Sequence, residues 1–198
     1  MAERIPSTLL APLGDLAKWL DATRTQAIVV GGVAVSLLGR PRFTKDIDAL
    51  VILAEQEWEA ALTAAPMYGL VARIEQPLEF ARRTRVLLLR HVESDIDIDI
   101  ILGALPFEQN AVEHGQTHDV EGVNVRLPRV EDLLIMKAVA HRPRDMQDID
   151  NLLKLHPEAN TEFVKQWVRE FARATAMSDL ADDFERLVAR HRSDQDAE

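Results

Sequence analysis

Apolar and polar positions change their period along the chain, and the changes mark out elements. Residues 27–30 (AIVV) are a short β-branched apolar run that stops at Gly31 and Gly32, the pattern of a buried strand closed by a turn. Residues 33–39 (VAVSLLG) have helical length and reach Gly39, a natural C-terminal cap. Residues 46–53 (DIDALVIL) alternate acid and apolar positions and then turn wholly apolar, which predicts a strand entering a core from an open end. A helix is predicted over 54–65, rich in good helix formers and ended by Pro66, and a first helix ends near Ala22. Three later stretches read as extended: GLVARI, RVLLLRH and SDIDIDIIL.

From about Val130 the period becomes helical. Apolar residues at 130, 133, 134, 138 and 139 fall on one helical face, and the segments beginning at 145, 161 and 179 repeat the pattern. The final RSDQDAE is predicted to fray. The expected fold class is α+β: a mixed sheet with packed helices over residues 1–128, and a helical region over 129–198 packed on it as one structural unit.

With 198 residues the chain is long enough to bury a sizeable core. It has no cysteine, which excludes disulfides and thiolate metal sites. The start MAERIPSTLLAPL lacks a long apolar signal core, and no apolar run approaches the roughly 18 residues of a membrane helix, so a cytoplasmic protein with no membrane partner is expected. A net charge of −10 argues against a protein that coats nucleic acid. Arginines nevertheless cluster in RPRFTK, ARRTRVLLLR and HRPR, where they serve either local anion binding or solvated helix faces.

The candidate chemistry lies where strands meet acids. Glycines followed at once by a helix leave backbone N–H groups and the positive helix end open to an anion, although a glycine pair after a strand is also an ordinary tight turn. Asp46 and Asp48 are two apart in a strand and share a face, with Ile47 pointing to the other. Their mutual repulsion asks for a compensating cation. In DIDIDIIL, Asp95, Asp97 and Asp99 again share a face, but about 13 Å separates Asp95 from Asp99, too far for one metal pair. Asp99 runs directly into an apolar stretch and has the driest setting, while Asp95 follows a turn. Ile100 at the glycine position and Pro106 at that of the glutamate argue against a calcium loop. Hard oxygen ligands on strands suit Mg2+ or Mn2+, and a pair of such ions suits phosphoryl transfer.

Gly31, Gly32, Asp46, Asp48 and Asp99 together resemble the pattern of polymerase-beta-type nucleotidyltransferases. More narrowly, GGVAVSLLGRPRFTKDID, DIILGALPFE and EDLLIMKAVAHRPRDMQDIDNLL occur in the order that is found in the AbiEii/AbiGii-toxin-like nucleotidyltransferases, over roughly residues 28–155. The resemblance implies a nucleotidyltransferase core, NTP as co-substrate, and Mg2+ or Mn2+ on Asp46, Asp48 and Asp99, with Asp97 as a further ligand candidate. It also implies nucleotide contacts from Gly31, Gly32, Ser36, Arg42 of the R-x-T-x-D pattern, Lys45, Lys137, and Asp145 or Asp148. Asp145 fits equally well as an N-cap after the break that Pro143 imposes. His91, His114, His118 and His156 show no metal-like spacing and are read as structural or surface residues.

The activity implied is transfer of an NMP from an NTP to an acceptor hydroxyl with release of pyrophosphate, with RNA, a protein or a small molecule as acceptor. It would suit the toxin of a bacterial toxin–antitoxin or phage-defence system, with a cognate antitoxin as partner. The alternatives are a non-catalytic binding or antitoxin module on the same fold, and a small-molecule (antibiotic) nucleotidyltransferase.

Overall fold

The structure is a computed structural model that describes residues 5–195. It divides into two compact units: one runs up to Leu37 and resumes over Pro41–Pro128, and the other holds Leu38–Arg40 and everything from Arg129 onward.

The first unit is built on a five-stranded mixed sheet. Its strands are β1 (Gln26–Val30), β2 (Asp46–Ile52), β3 (Leu70–Ala72), β4 (Val86–His91) and β5 (Ile96–Leu102), in the spatial order β1-β2-β5-β4-β3. β2 and β5 run parallel, and every other neighbour is antiparallel. β5 shows strict alternation: Ile98, Ile100 and Leu102 are buried, while Asp97 and Asp99 lie half-buried on the other face. β2 alternates only as far as Asp48 and is then buried on both faces over Ala49, Leu50 and Val51. The acids therefore occupy the one end of β2 that the core leaves open.

Helices α1 (Leu10–Ala22), α2 (Gly31–Leu38) and α3 (Trp58–Ala64) stand where the pattern predicts them, although α2 takes in both glycines. Two helices and a hairpin were not expected. Helix α4 (Pro77–Thr84) begins with Pro77, whose missing N–H costs nothing in a first turn, and ends at Arg85 in the left-handed region, φ 61°. Helix α5 (Pro106–Glu113) starts the same way, and Glu108 Oε2 accepts the backbone N–H of Ala104 at 2.7 Å and of Leu105 at 2.8 Å. Strands β6 (Gln116–Val120) and β7 (Val123–Leu127) are joined by Glu121 and Gly122, both at positive φ, the geometry of a tight hairpin turn. β7 lies against α1 and β1, and α5 packs on β1 and β2. Buried His91 ties α1 to the β4–β5 turn, its Nε2 facing Asp15 Oδ2 at 3.1 Å and its Nδ1 facing Ser94 Oγ at 2.8 Å.

The second unit is helical: α6 (Val130–Ala140), α7 (Pro143–Leu155), α8 (Thr161–Thr175) and α9 (Asp179–Gln195). The single-face expectation for α6 is corrected, because Asp132, Leu133, Leu134, Ile135, Lys137 and Ala138 are all buried, covering most of its circumference. Buried Asp132 is held by a two-pronged ion pair from Arg129, at 2.8 and 3.0 Å, and the Arg129 guanidinium stacks on Phe163. His156 Nε2 donates to the Leu38 carbonyl at 2.7 Å. Helix α9 continues through Gln195, so most of the segment expected to fray is helical, and residues 196–198 lie outside the described residues. No helix among the described residues is long and apolar enough to cross a membrane.

Candidate active site

The register of the parallel pair gathers the acids. Asp46 stands opposite Asp97 and Asp48 opposite Asp99. Neighbouring strands lie about 4.8 Å apart, so the four carboxylates form two facing rows on the open face. Asp95 is not part of this ladder; it sits in the β4–β5 turn at φ 54°, ahead of β5.

Beside the rows, the glycine turn is shaped by close approach. Gly31 has φ 61°, and a methyl group on it would lie 1.9 Å from Asp48 Oδ2. A methyl on Gly32 would lie 2.4 Å from Thr44 Oγ1 and 3.3 Å from Arg42 Nη1. Two bare backbone positions thus let the N-terminus of α2 sit directly against Asp48, Thr44 and Arg42. Thr44 Oγ1 donates to Asp46 Oδ1 at 2.8 Å, fixing the first acid. Lys45 and Phe43 are exposed and stack on each other, with 5.8 Å from Nζ to the ring centroid.

Ser36 departs from its expected role as a nucleotide contact. It is fully buried on α2, its hydroxyl lying 3.0 Å from the Gly32 carbonyl and 3.1 Å from that of Arg42. In this structure Ser36 therefore fastens the Arg42 loop to the helix.

The compensating cation is one the sequence reading missed. Arg73, just past β3, extends the ladder by donating its backbone N–H to Leu88, which lies opposite Asp99. Its side chain crosses that strand, and its Nη1 and Nη2 donate to Asp97 and Asp99 respectively. Arg90, opposite Asp97, donates Nε to it at 2.8 Å and Nη1 to Asp95 at 2.9 Å. Burial pushes the Asp99 carboxyl above its ordinary range, and the nearby charges of Asp46 and Asp97 push the same way, against the pull of Arg73. The one hint in the sequence was that Arg73 falls within the extended run GLVARI. Nothing in that run shows that β3 lies two strands from β5.

As they stand, no three acidic or histidine side chains among the described residues form a metal-holding group. The expected set of Asp46, Asp48 and Asp99 is aligned by register, but Asp99 is turned to a guanidinium. Its donor chemistry still suits a hard divalent cation: carboxylate oxygens on two paired strands, with one carboxyl raised by burial and by its acidic neighbours, and a positive group already drawn to it.

Lys137, Asp145 and Asp148 come together with one another in the helical unit. Lys137 Nζ lies 2.9 Å from Asp145 Oδ1 and 3.0 Å from Asp148 Oδ2, and all three are buried. Lys137 is thus committed to two carboxylates rather than held out to a ligand. Asp145 caps α7, though not from the expected N-cap position: Pro143 opens the helix, and Asp145 reaches back from its third residue to accept the Arg142 backbone N–H at 3.2 Å and its Nε at 2.6 Å.

Solved structures share this fold at low identity. A nucleotidyltransferase-like antigenic protein from Paracoccidioides brasiliensis is 17% identical, with a TM-score of 0.54 over 91% of this chain and 94% of its own. The solution structure of the antibiotic-resistance factor ANT(2″)-Ia is 18% identical, with a TM-score of 0.59 over 86% of this chain and 95% of that one. The crystal structure of ANT(2″)-Ia with adenylyl-2″-tobramycin is 15% identical, with a TM-score of 0.58 over 85% and 99%. Curated protein sequences give no match. The sequence itself matches the AbiEii nucleotidyl transferase toxins, type IV toxin–antitoxin system, over residues 15–197, nearly the whole described chain, and the protein therefore belongs to that nucleotidyltransferase family.

Proposed function

We propose that this nucleotidyltransferase is metal-dependent, acts in the cytoplasm, and serves as the toxin of a toxin–antitoxin pair, moving an NMP from an NTP to an acceptor hydroxyl. The observation that carries the reading is the convergence of a side-chain-free helix N-terminus, Gly31 and Gly32, on paired strands bearing Asp46, Asp48, Asp97 and Asp99.

In this reading the N–H groups at the start of α2 and the charges of Arg42 and Lys45 hold the triphosphate. Asp46, Asp48 and Asp99 are the residues that would hold Mg2+ or Mn2+, with Asp97 beside them. Such a cation, when bound, lowers the pKa of a hydroxyl and neutralises charge on the departing pyrophosphate. The acceptor oxygen forms a bond to the α-phosphorus, the bond from that phosphorus to the bridging oxygen of pyrophosphate breaks, and Asp99 takes the hydroxyl proton. Its raised affinity for a proton suits that role. Phe43, exposed beside Lys45, offers a face on which a base can stack. The acceptor hydroxyl belongs to RNA, a protein or a small compound, the last in keeping with the adenylyl-2″-tobramycin held by the structural neighbour ANT(2″)-Ia.

The test is incubation of the purified protein with each α-labelled NTP, Mg2+ or Mn2+ and a total-RNA or lysate pool. Label should move to an acceptor with release of pyrophosphate, and Asp48→Asn should abolish both. No transfer from any NTP to any fraction would favour a non-catalytic module on the same fold. Growth arrest on expression, absent with Asp48→Asn, would support the toxin role.

A further inference from the structure

Arg73 is built into the acid face in an unusual way. A structural guanidinium ordinarily satisfies all its donors. Here Nη1 serves Asp97 and Nη2 serves Asp99, while Nε is buried with no hydrogen-bond partner. The side chain is held by two charges rather than by a completed network.

The two carboxylates depend on it unequally. Asp97 has a second cation of its own, Arg90, whose Nε donates to it at 2.8 Å. Among the described residues Arg73 is the cation that reaches Asp99, whose charge is opposed by the acids Asp46 and Asp97 and which stands opposite Asp48 in the register. Both partners are partly open to solvent, with side-chain exposures of 22% for Arg73 and 31% for Asp99, so water can reach either group as they separate.

We infer that Arg73 is the exchangeable counter-cation of this face: a divalent cation gains Asp99 by displacing the guanidinium, and Arg73 thereby sets how tightly the site takes metal. The inference rests on the metal reading of Asp46, Asp48 and Asp99 above. Arg73 is a positioning residue, acting through the carboxylates it releases. Without metal it keeps like charges on β2 and β5 from forcing the open face apart. With metal its single charge is replaced by two, delivered by an ion that can contact carboxylate oxygens on both strands.

The test titrates Mn2+ into the full chain without nucleotide, reading free Mn2+ by electron paramagnetic resonance, for the wild type, Arg73→Gln and Arg73→Lys. Arg73→Gln should bind Mn2+ about tenfold more tightly than the wild type, with Arg73→Lys between them, because one competing charge has been removed. In chelator Arg73→Gln should melt lower than the wild type, and it should recover more of its melting temperature when Mn2+ is added. In the wild type, the Arg73 Nε–H signal, assigned by its loss in Arg73→Lys, should shift as Mg2+ saturates the site. Equal or weaker Mn2+ binding by Arg73→Gln, with wild-type binding intact, would overturn the exchange and leave the ligand assignment standing. Absence of Mn2+ binding in every variant would overturn both. Should Arg73→Gln fail to fold, the wild-type spectrum decides: an Nε–H signal unmoved at Mg2+ saturation overturns the exchange.

Discussion

Two clusters in this protein are made from the same ingredients, aspartates with lysine or arginine, and end in opposite electrostatic states. On the sheet, Asp99 meets Arg73 but also Asp46 and Asp97, and its carboxyl is pushed above the ordinary range. In the helical unit, Asp145 meets Arg142 and Lys137, and its carboxyl is held below that range. Burial is the largest influence on both and raises both. What differs is the company: two cations outweigh burial at Asp145, while one cation offset by two acids fails to outweigh it at Asp99. A charge cluster that is balanced within itself stabilises a fold. One left short of positive charge is prepared for something that arrives from outside.

The most forceful way to break the comparison is to unbalance the closed cluster. Lys137→Met should destabilise the protein by about 3–5 kcal/mol in chemical denaturation, because it leaves buried carboxylates without their shared ammonium. A loss below about 1 kcal/mol together with weakened NTP affinity would instead make Lys137 a phosphate ligand and erase the contrast.

The open cluster should respond the other way. Asp46→Asn and Asp48→Asn should each lower nucleotidyl transfer by about 10² or more, as does loss of a preorganised charge-stabilising group, with melting temperature unchanged or raised because like-charge repulsion is relieved. Asp99→Asn should lose as much activity, while its melting temperature tests whether Arg73 needs a charge on that carboxylate. Unfolding of both Asp46→Asn and Asp48→Asn would make these acids structural.

A subtler contrast appears in acid. Because the folded carboxyl of Asp145 is held below its unfolded value, the folded state carries fewer protons than the unfolded chain between the two. Its stabilising contribution is complete above about pH 4 and is lost as pH falls through the lowered folded value. Asp150 and Asp183, also lowered, add to the same limb. Denaturation midpoints followed downward from neutral pH should show a shallower acid slope in Asp145→Asn than in the wild type. Equal slopes would show that Lys137 and Arg142 do not hold this proton equilibrium.

The smallest effect belongs to Asp95. Its pairing with Arg90 is exposed and adds little, so Asp95→Asn should leave both transfer and melting temperature nearly unchanged. A loss comparable to that of Asp99→Asn would move the functional acids toward the β4–β5 turn, outside the rows that the register pairs.

Periodicity carried the fold a long way. It marked β1, β2, β4, β5 and the four late helices, because each is long enough, or apolar enough, to show its period in isolation. It also put Asp46 and Asp48 on one face, since alternation within a strand is local. What escaped it was local chemistry left unread and pairing that no local pattern encodes. Helices α4 and α5 both open with proline, and the β6–β7 hairpin turns on Glu121 and Gly122 between alternating residues, signals that were present in the sequence. The approach of Arg73 to Asp99 was not, because a strand's sequence records which side a residue faces but not which strand lies alongside. Ser36 escaped for a related reason: a hydroxyl on a helix after a glycine turn reads the same whether it faces a ligand or, as here, its own loop.

The parallel pairing of β2 with β5 also bears on how the protein comes to be active. The two acid-bearing strands are far apart in sequence, and α3, β3, α4 and β4 intervene. A parallel pair cannot be closed by a tight turn, and contacts of such long sequence separation form slowly because the loop must be closed before they return anything. Bringing Asp46 against Asp97 and Asp48 against Asp99 adds a charge barrier that salt should lower. The acid-bearing face thus belongs to a late stage of folding: a chain still emerging from the ribosome, with β5 unmade, carries the glycine turn and its first two aspartates but has nothing opposite them until the sheet closes.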